Sequence, residues 1–268
     1  LYAYINQPEK RAFPEMNQYD LALRLLGLLG SSTAAILQTI KGIVKRLQGL
    51  ENAADELSQW QEIQTAAESI PQDAKAGELL TVLKQGFSLM KKTGAKQKAV
   101  IFTESVETQK MLQNLLSDRY RTLAYNGSAD YSVIRQFKED GEVLISTDNG
   151  AKGFNLEEAA FIIHYDLPYN TLKLEQRIDR CHRLGQENDV LSVAFIDKNN
   201  FADVRKLELV NKRMLVTDGV FGITDDVLGG FTDDVKAAFP VIAQRLRPRA
   251  QIEQAYRQTL STHEEDNR

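Results

Sequence analysis

The sequence predicts an α/β fold, a parallel sheet with helices on both faces, with helical additions before and after it. Two observations carry this. From residue 98, short and nearly continuous apolar runs of strand length alternate with helical patterns, as in Ala99-Val100-Ile101-Phe102, Val143-Leu144-Ile145, Phe161-Ile162-Ile163 and the run 190–196. Strands buried on both faces and joined by covering helices read this way. Before residue 96 and beyond residue 200, apolar residues recur at three- and four-residue steps instead, the period of a helix. Three regions follow: helical 1–95, α/β 96–200 and helical 201–268.

In the first region Leu21, Leu25, Leu28 and Leu29 mark one helix. Gly30-Ser31-Ser32 breaks it and offers a hydroxyl to cap the next. That next helix carries Ile36, Ile40, Val44 and Leu47, with Gly49 as its stop. A third runs around Leu57, Trp60 and Ile63, closed by Pro71, and a fourth holds Leu79, Leu80, Leu83, Phe87 and Met90 up to Gly94. No stretch here gathers catalytic residue types, so the region reads as packing. Trp60 lacks the basic and aromatic neighbours of a base-stacking platform and is assigned to the core.

The α/β region continues with a helix through Val106, Leu112, Leu115 and Leu116. A strand at 121–125, a short helix through Val133 and Phe137, and a helix from Thr171 to His182 complete it. Residues 201–215 read as helical, Gly219, Gly222, Gly229 and Gly230 interrupt the next stretch, and a last helix is expected from about Asp233 to Thr259. The end, 263–268, is expected to fray.

Net charge is −4, which weighs mildly against nucleic acid, although a local basic stripe decides phosphate contact. The single cysteine, Cys181, allows no disulfide framework and fits a reducing compartment. No apolar run approaches the ~18 residues of a membrane span, and the start is no signal peptide. The expected location is therefore cytoplasmic. Without an initiator Met, the chain is expected to be cut from a longer one.

Ligands of a parallel α/β sheet bind beyond the carboxyl ends of its strands. Three polar clusters fall there: Thr103-Glu104-Ser105, Asn126-Gly127-Ser128 and 146–153. Turns use these residue types anyway, but three in register suggest a site. In the helix bearing Gln176-Arg177-Ile178-Asp179-Arg180-Cys181-His182-Arg183, the spacing puts Gln176, Arg180 and Arg183 on one face. Leu174, Ile178 and Cys181 take a nearly opposite one. Two arginines on a rigid helix match phosphate oxygens well; a solvated basic face fits the spacing equally. The arginines 245, 247 and 249 around Pro248 leave the same choice open. The histidines give no metal spacing.

These segments resemble the second-lobe motifs of superfamily two helicases. Ala99-Val100-Ile101-Phe102-Thr103-Glu104 resembles motif four, the run from Ser146 to Leu156 motif five, and the run from Gln176 to Gln186 motif six. The Gly185-Gln186 ending, Ile163-His164-Tyr165-Asp166-Leu167-Pro168-Tyr169-Asn170 and Gly219-Val220-Phe221-Gly222 are similar to the Swi/Snf group, in its bacterial branch with the polymerase-associated recycling factor. Tyr169, Thr171 and Lys152 depart from the group's usual residues, and the stretch from Gly127 to Phe137 is short and lacks an expected arginine.

The resemblance implies a RecA-like lobe of an ATP-driven DNA translocase. Arg183 would be the arginine finger, Arg180 its companion, and Gln176 would orient them. Gly153, Asn155 and Asp148 would face the nucleotide, while Thr103, Ser105, Gly127 and Thr147 would lie along one DNA strand. ATP and Mg²⁺ would be bound mainly by a first lobe that this sequence lacks, for it holds no GxxxxGK[ST] and no Asp-Glu-x-His. The implied partners are duplex DNA, that first lobe and, as a further class, RNA polymerase or another DNA-bound protein. Alone, the chain is expected to hydrolyse no ATP. The alternative is a non-catalytic docking or nucleic-acid-binding scaffold on the same fold.

Overall fold

The computed structural model describes residues 1–127, 131–148, 154–210 and 241–251. Side-chain caps set the first helices. After α1 (Tyr2–Ile5), Asn17 accepts from the Asp20 amide and opens α2 (Gln18–Ser31), and Ser32 accepts from the Ala35 amide and opens α3 (Thr33–Leu47). The Gly30-Ser31-Ser32 break therefore falls where the sequence puts it. Next come α4 (Ala54–Glu68) and α5 (Ala74–Thr93), the latter closed by Gly94 at φ 78°, a left-handed conformation that glycine adopts without cost. Tyr4, Leu21, Leu25, Ile36, Ile40 and Trp60 form one core. Trp60 sits edge-on to Tyr4, ring centroids 4.7 Å apart, as a core residue.

The sheet holds β1 (Ala99–Thr103), β2 (Thr122–Tyr125), β3 (Val143–Thr147), β4 (Phe161–His164), β5 (Val190–Phe195) and β6 (Val241–Leu246) in the order β2-β3-β1-β4-β5-β6. The first five are parallel. Alternation sends Ala99, Ile101, Val143, Ile145, Phe161 and Ile163 into a core with α5 and α6 (Val106–Leu116). Val100, Phe102, Leu144 and Ile162 go to the other face, with α7 (Ser132–Glu139) and α8 (Thr171–Cys181). Both faces are covered, as the unbroken apolar runs require. Residue α5 Gly86 explains how closely its helix sits: a Cβ there would lie 2.1 Å from the Phe161 ring, so only glycine admits this approach.

One element differs from the sequence reading. A helix was expected across 233–259, but residues 241–246 form an antiparallel strand, Val190 opposite Leu246 and Phe195 opposite Val241. Val241 and Ile242 are β-branched, and the edge of β5 offers a complete ladder, so pairing overrides the helical pattern. Residues 201–210 are helical as expected. The glycine-interrupted stretch 219–230 lies outside the described residues. Among those described, no helix is long and apolar enough to cross a membrane.

Candidate nucleotide and nucleic-acid interface

The described parts of the three polar clusters, 103–105, 126–127 and 146–148, come together. Thr103 is opposite Thr147 across the β1–β3 pairing, and Tyr125 is opposite Ser146 across β2–β3, so all three strand ends open on one edge. Asn126 and Gly127 follow β2, with Gly127 at φ 88°. Ser105 caps α6 by accepting from the Thr108 amide at 3.2 Å. Thr147 is buried, and Thr103 is fully so, its hydroxyl donating to Asp166 Oδ2 at 2.5 Å. Thr103 thus faces inward, because a buried carboxylate beside it takes the hydroxyl; on this edge Glu104 and Gly127 are exposed and Ser105 is half-buried.

Asp148 ends β3 with both carboxylate oxygens engaged. Oδ1 accepts from Arg177 Nε at 2.7 Å and Oδ2 from Lys173 Nζ at 3.0 Å. Lys173 and Arg177 stand one helical turn apart on α8, so they converge. Arg177 is only 1% exposed, donates to the Asp166 carbonyl at 2.6 Å and lies over the Phe102 ring. Sequence reasoning did not assign Arg177 a role. Its signal was present: an unmatched arginine one residue off the Gln176–Arg180 face, and an acid at the end of the neighbouring strand. Asp148, expected to face the nucleotide, here fixes α8 to the sheet.

Arg180 and Arg183 both meet the end of motif five. Arg180 donates to the Gln176 carbonyl at 3.1 Å and reaches the Phe154 carbonyl at 3.4 Å. Its own carbonyl accepts from the Leu156 amide at 2.8 Å. Arg183 donates to Asn155 Oδ1. The helix, however, ends at Cys181: His182 leaves helical geometry at ψ 78°, and Gly185 turns at φ 105°. Arg183 therefore does not share a helical face with Gln176 and Arg180, as the spacing predicted. It stands on the turn beyond them, where Gln186 secures the chain by donating to the Glu157 carbonyl at 2.8 Å. Gln176 is exposed, and Gly153 lies outside the described residues. Arg245 pairs with Asp189 and Arg249 with Asp179, so these arginines bracket motif six.

Cys181 is buried, which pushes its thiol up and leaves it inert. Among the described residues, no three His, Cys, Asp or Glu side chains group as metal ligands.

Two histidines are buried at this site. His164 contacts Ser192 Oγ at 3.2 Å, and His182 Nε2 contacts the Arg247 carbonyl at 2.6 Å. Burial, and then Arg177, hold His164 well below the ordinary histidine value; burial lowers His182 too, partly offset by the Arg247 carbonyl. The unfolded chain therefore takes up protons that the fold refuses. Stability should be complete above about pH 6.5 and fall with acidification, by up to about 1.4 kcal/mol per pH unit for each histidine. Denaturant titrations from pH 7.5 to 5 should show this slope, reduced in His164→Phe; an identical slope in that variant would assign the loss to other groups.

Two arginines thus stand beyond the strand ends of a sheet with five parallel strands and one antiparallel edge strand. Residues 78–185 match the helicase conserved C-terminal domain. ATP-dependent helicase YqhH of Bacillus subtilis is 32% identical over 204 residues, covering 74% of this chain and 34% of YqhH. RNA polymerase-associated protein RapA of Vibrio vulnificus is 27% identical over 186 residues, 66% of this chain and 17% of RapA. Helicase swr1 of Aspergillus fumigatus is 30% identical over 148 residues, 51% of this chain and 8% of swr1. Residues 78–185 thus form a helicase conserved C-terminal domain, and the chain resembles superfamily two helicases of the Swi/Snf type. It spans about a third of the length of YqhH and less of the others.

Proposed function

We propose that this chain is the second motor lobe of an ATP-dependent duplex-DNA translocase and hydrolyses no ATP by itself. The observation that carries this reading is the meeting of Arg180 and Arg183 with Phe154 and Asn155, where motifs five and six adjoin. Asn155 is a neutral acceptor, so it aims the Arg183 guanidinium without cancelling its charge. A phosphate could then displace it and gain a charge-assisted pair. ATP, with Mg²⁺, would sit on a first lobe; this lobe would add Arg183 as the finger, Arg180 as companion, and Gly153 and Asn155 beside them. Gln176 steadies Arg180 through its carbonyl, and Asp148 acts through Arg177. Ser105 and Gly127 would line the path of one DNA strand, contacts that track a backbone and read no sequence, while the buried Thr103 and Thr147 would support that edge from behind. RNA polymerase or another DNA-bound protein is a further partner, by the likeness to RapA.

The test is ATP hydrolysis by a chain carrying both lobes, with and without duplex DNA or RNA, beside the 268-residue chain alone. Duplex DNA should raise the rate of the longer chain, and the shorter one should show none. Stimulation by RNA alone would move the substrate to RNA. Failure of both nucleic acids to stimulate would favour a non-catalytic scaffold.

A further inference from the structure

The end of β1 presents an acid where the proposed strand would run. Glu104 is exposed, and an uncompensated carboxylate there would repel phosphates. It is not uncompensated. Its Oε2 accepts from Lys206 Nζ at 2.9 Å, on the helix at 201–210, and that lysine side chain is only 3% exposed. The ammonium lies 4.8 Å from the Tyr169 ring centroid, and Tyr169 in turn donates to the Leu23 carbonyl of α2 at 3.3 Å. The backbone of Glu104 is held from the other side, its amide donating to Asp166 Oδ2 at 3.0 Å. The carboxylate thus has a fixed root and a single buried cation drawing it toward the helix.

We propose that Lys206 is a positioning residue for nucleic-acid binding: it neutralises Glu104 and withdraws it from the phosphate path, leaving Ser105 and the neighbouring amides free to meet the strand. A helix more than 100 residues downstream would thereby set the affinity of the β1 end. This rests on the nucleic-acid reading given above. A buried lysine is costly unless paired; Lys206 also acts on the buried carboxyls of Asp166 and Asp203, and its direct hydrogen-bonded partner is Glu104 at the surface.

The experiment uses the full-length protein with both lobes and measures ATP hydrolysis against duplex-DNA concentration. Lys206→Met keeps the apolar stem on Tyr169 and Glu104 can reach water; Asp166 loses its second cation but keeps Lys75 and its hydrogen bonds, so the fold should survive with a lower melting temperature, measured alongside. The KM for duplex should rise about three- to tenfold, the size of one charge pair about 4 Å apart in water, with kcat at saturating duplex unchanged. Added salt should shrink the difference. Glu104→Gln should leave the KM for duplex no higher than in the parent. The double variant Glu104→Gln, Lys206→Met should return it to near the parent value, whereas a purely structural lysine would leave the double variant as poor as Lys206→Met. An unchanged KM in Lys206→Met, or no recovery in the double variant, overturns the inference while the translocase reading stands. A parent that does not respond to duplex overturns both.

Discussion

Replacing Arg183 with alanine in the chain that carries both lobes should lower kcat for ATP hydrolysis by about 10³- to 10⁵-fold, or about 4 to 7 kcal/mol of transition-state stabilisation. The fold should be indifferent to the change. Arg183 stands on a turn beyond α8 and donates to the neutral Asn155 side chain. Its removal therefore leaves no buried charge unpaired, and the stability change should stay within about 0.5 kcal/mol. A large loss of rate with an unmoved melting temperature is the signature of a group that acts on the phosphate. A rate loss below about tenfold would remove Arg183 from that role.

The second large effect is on stability. Lys75→Met should destabilise the chain by about 3 to 5 kcal/mol, because it strands a buried carboxylate. Lys75 Nζ lies 3.2 Å from Asp166 Oδ1, with both side chains nearly inaccessible, and also donates to the Gly30 carbonyl at 2.7 Å. Burial alone would push the Asp166 carboxyl up; Lys75 and Lys206, with hydrogen bonds from Thr103 and Ser31, more than offset this and hold it below the ordinary value. Without Lys75 the hydrogen bonds would remain but the nearest cation would be gone. Urea denaturation should show a lower midpoint at constant slope. A change under about 1 kcal/mol would mean that the three donors on Oδ2 suffice to keep the charge buried.

Asp166 shows why a sequence discloses a fold more readily than a site. Four of the five parallel strands were legible because each is an apolar run whose meaning is local, and Ser32 and Gly94 mark helix ends by their own chemistry. The partners of Asp166 are Ser31, Lys75, Thr103 and the Glu104 amide, dispersed over the chain and joined only when the helical region docks on the sheet. Arg177 and Asp148 likewise meet across 29 residues. Strand β6 was misread for the same reason: six residues become a strand only against the edge of β5. Arg183 is a different case. The helical period continues past Cys181 in the sequence, and only the turn at His182 and Gly185 breaks it. The polar clusters at the strand ends were located correctly, but which hydroxyls turn inward depends on a buried acid that no spacing rule announces.

The position of α5 bears on how such a protein can be dissected. Its first turn holds Lys75 against Asp166, and Asp73 ahead of it accepts from the Thr33 amide at 3.1 Å. Its middle and end seat Leu79, Val82, Leu83, Phe87 and Met90 on the strands. Truncation just before the first strand, the cut that the strand–helix alternation invites, would strip α5 from one face of the sheet, leave α6 alone there and lay apolar strand residues open to water. An isolated lobe prepared that way would be prone to aggregation, and its inactivity would say nothing about the motor; the shortest informative piece begins upstream of Asp73.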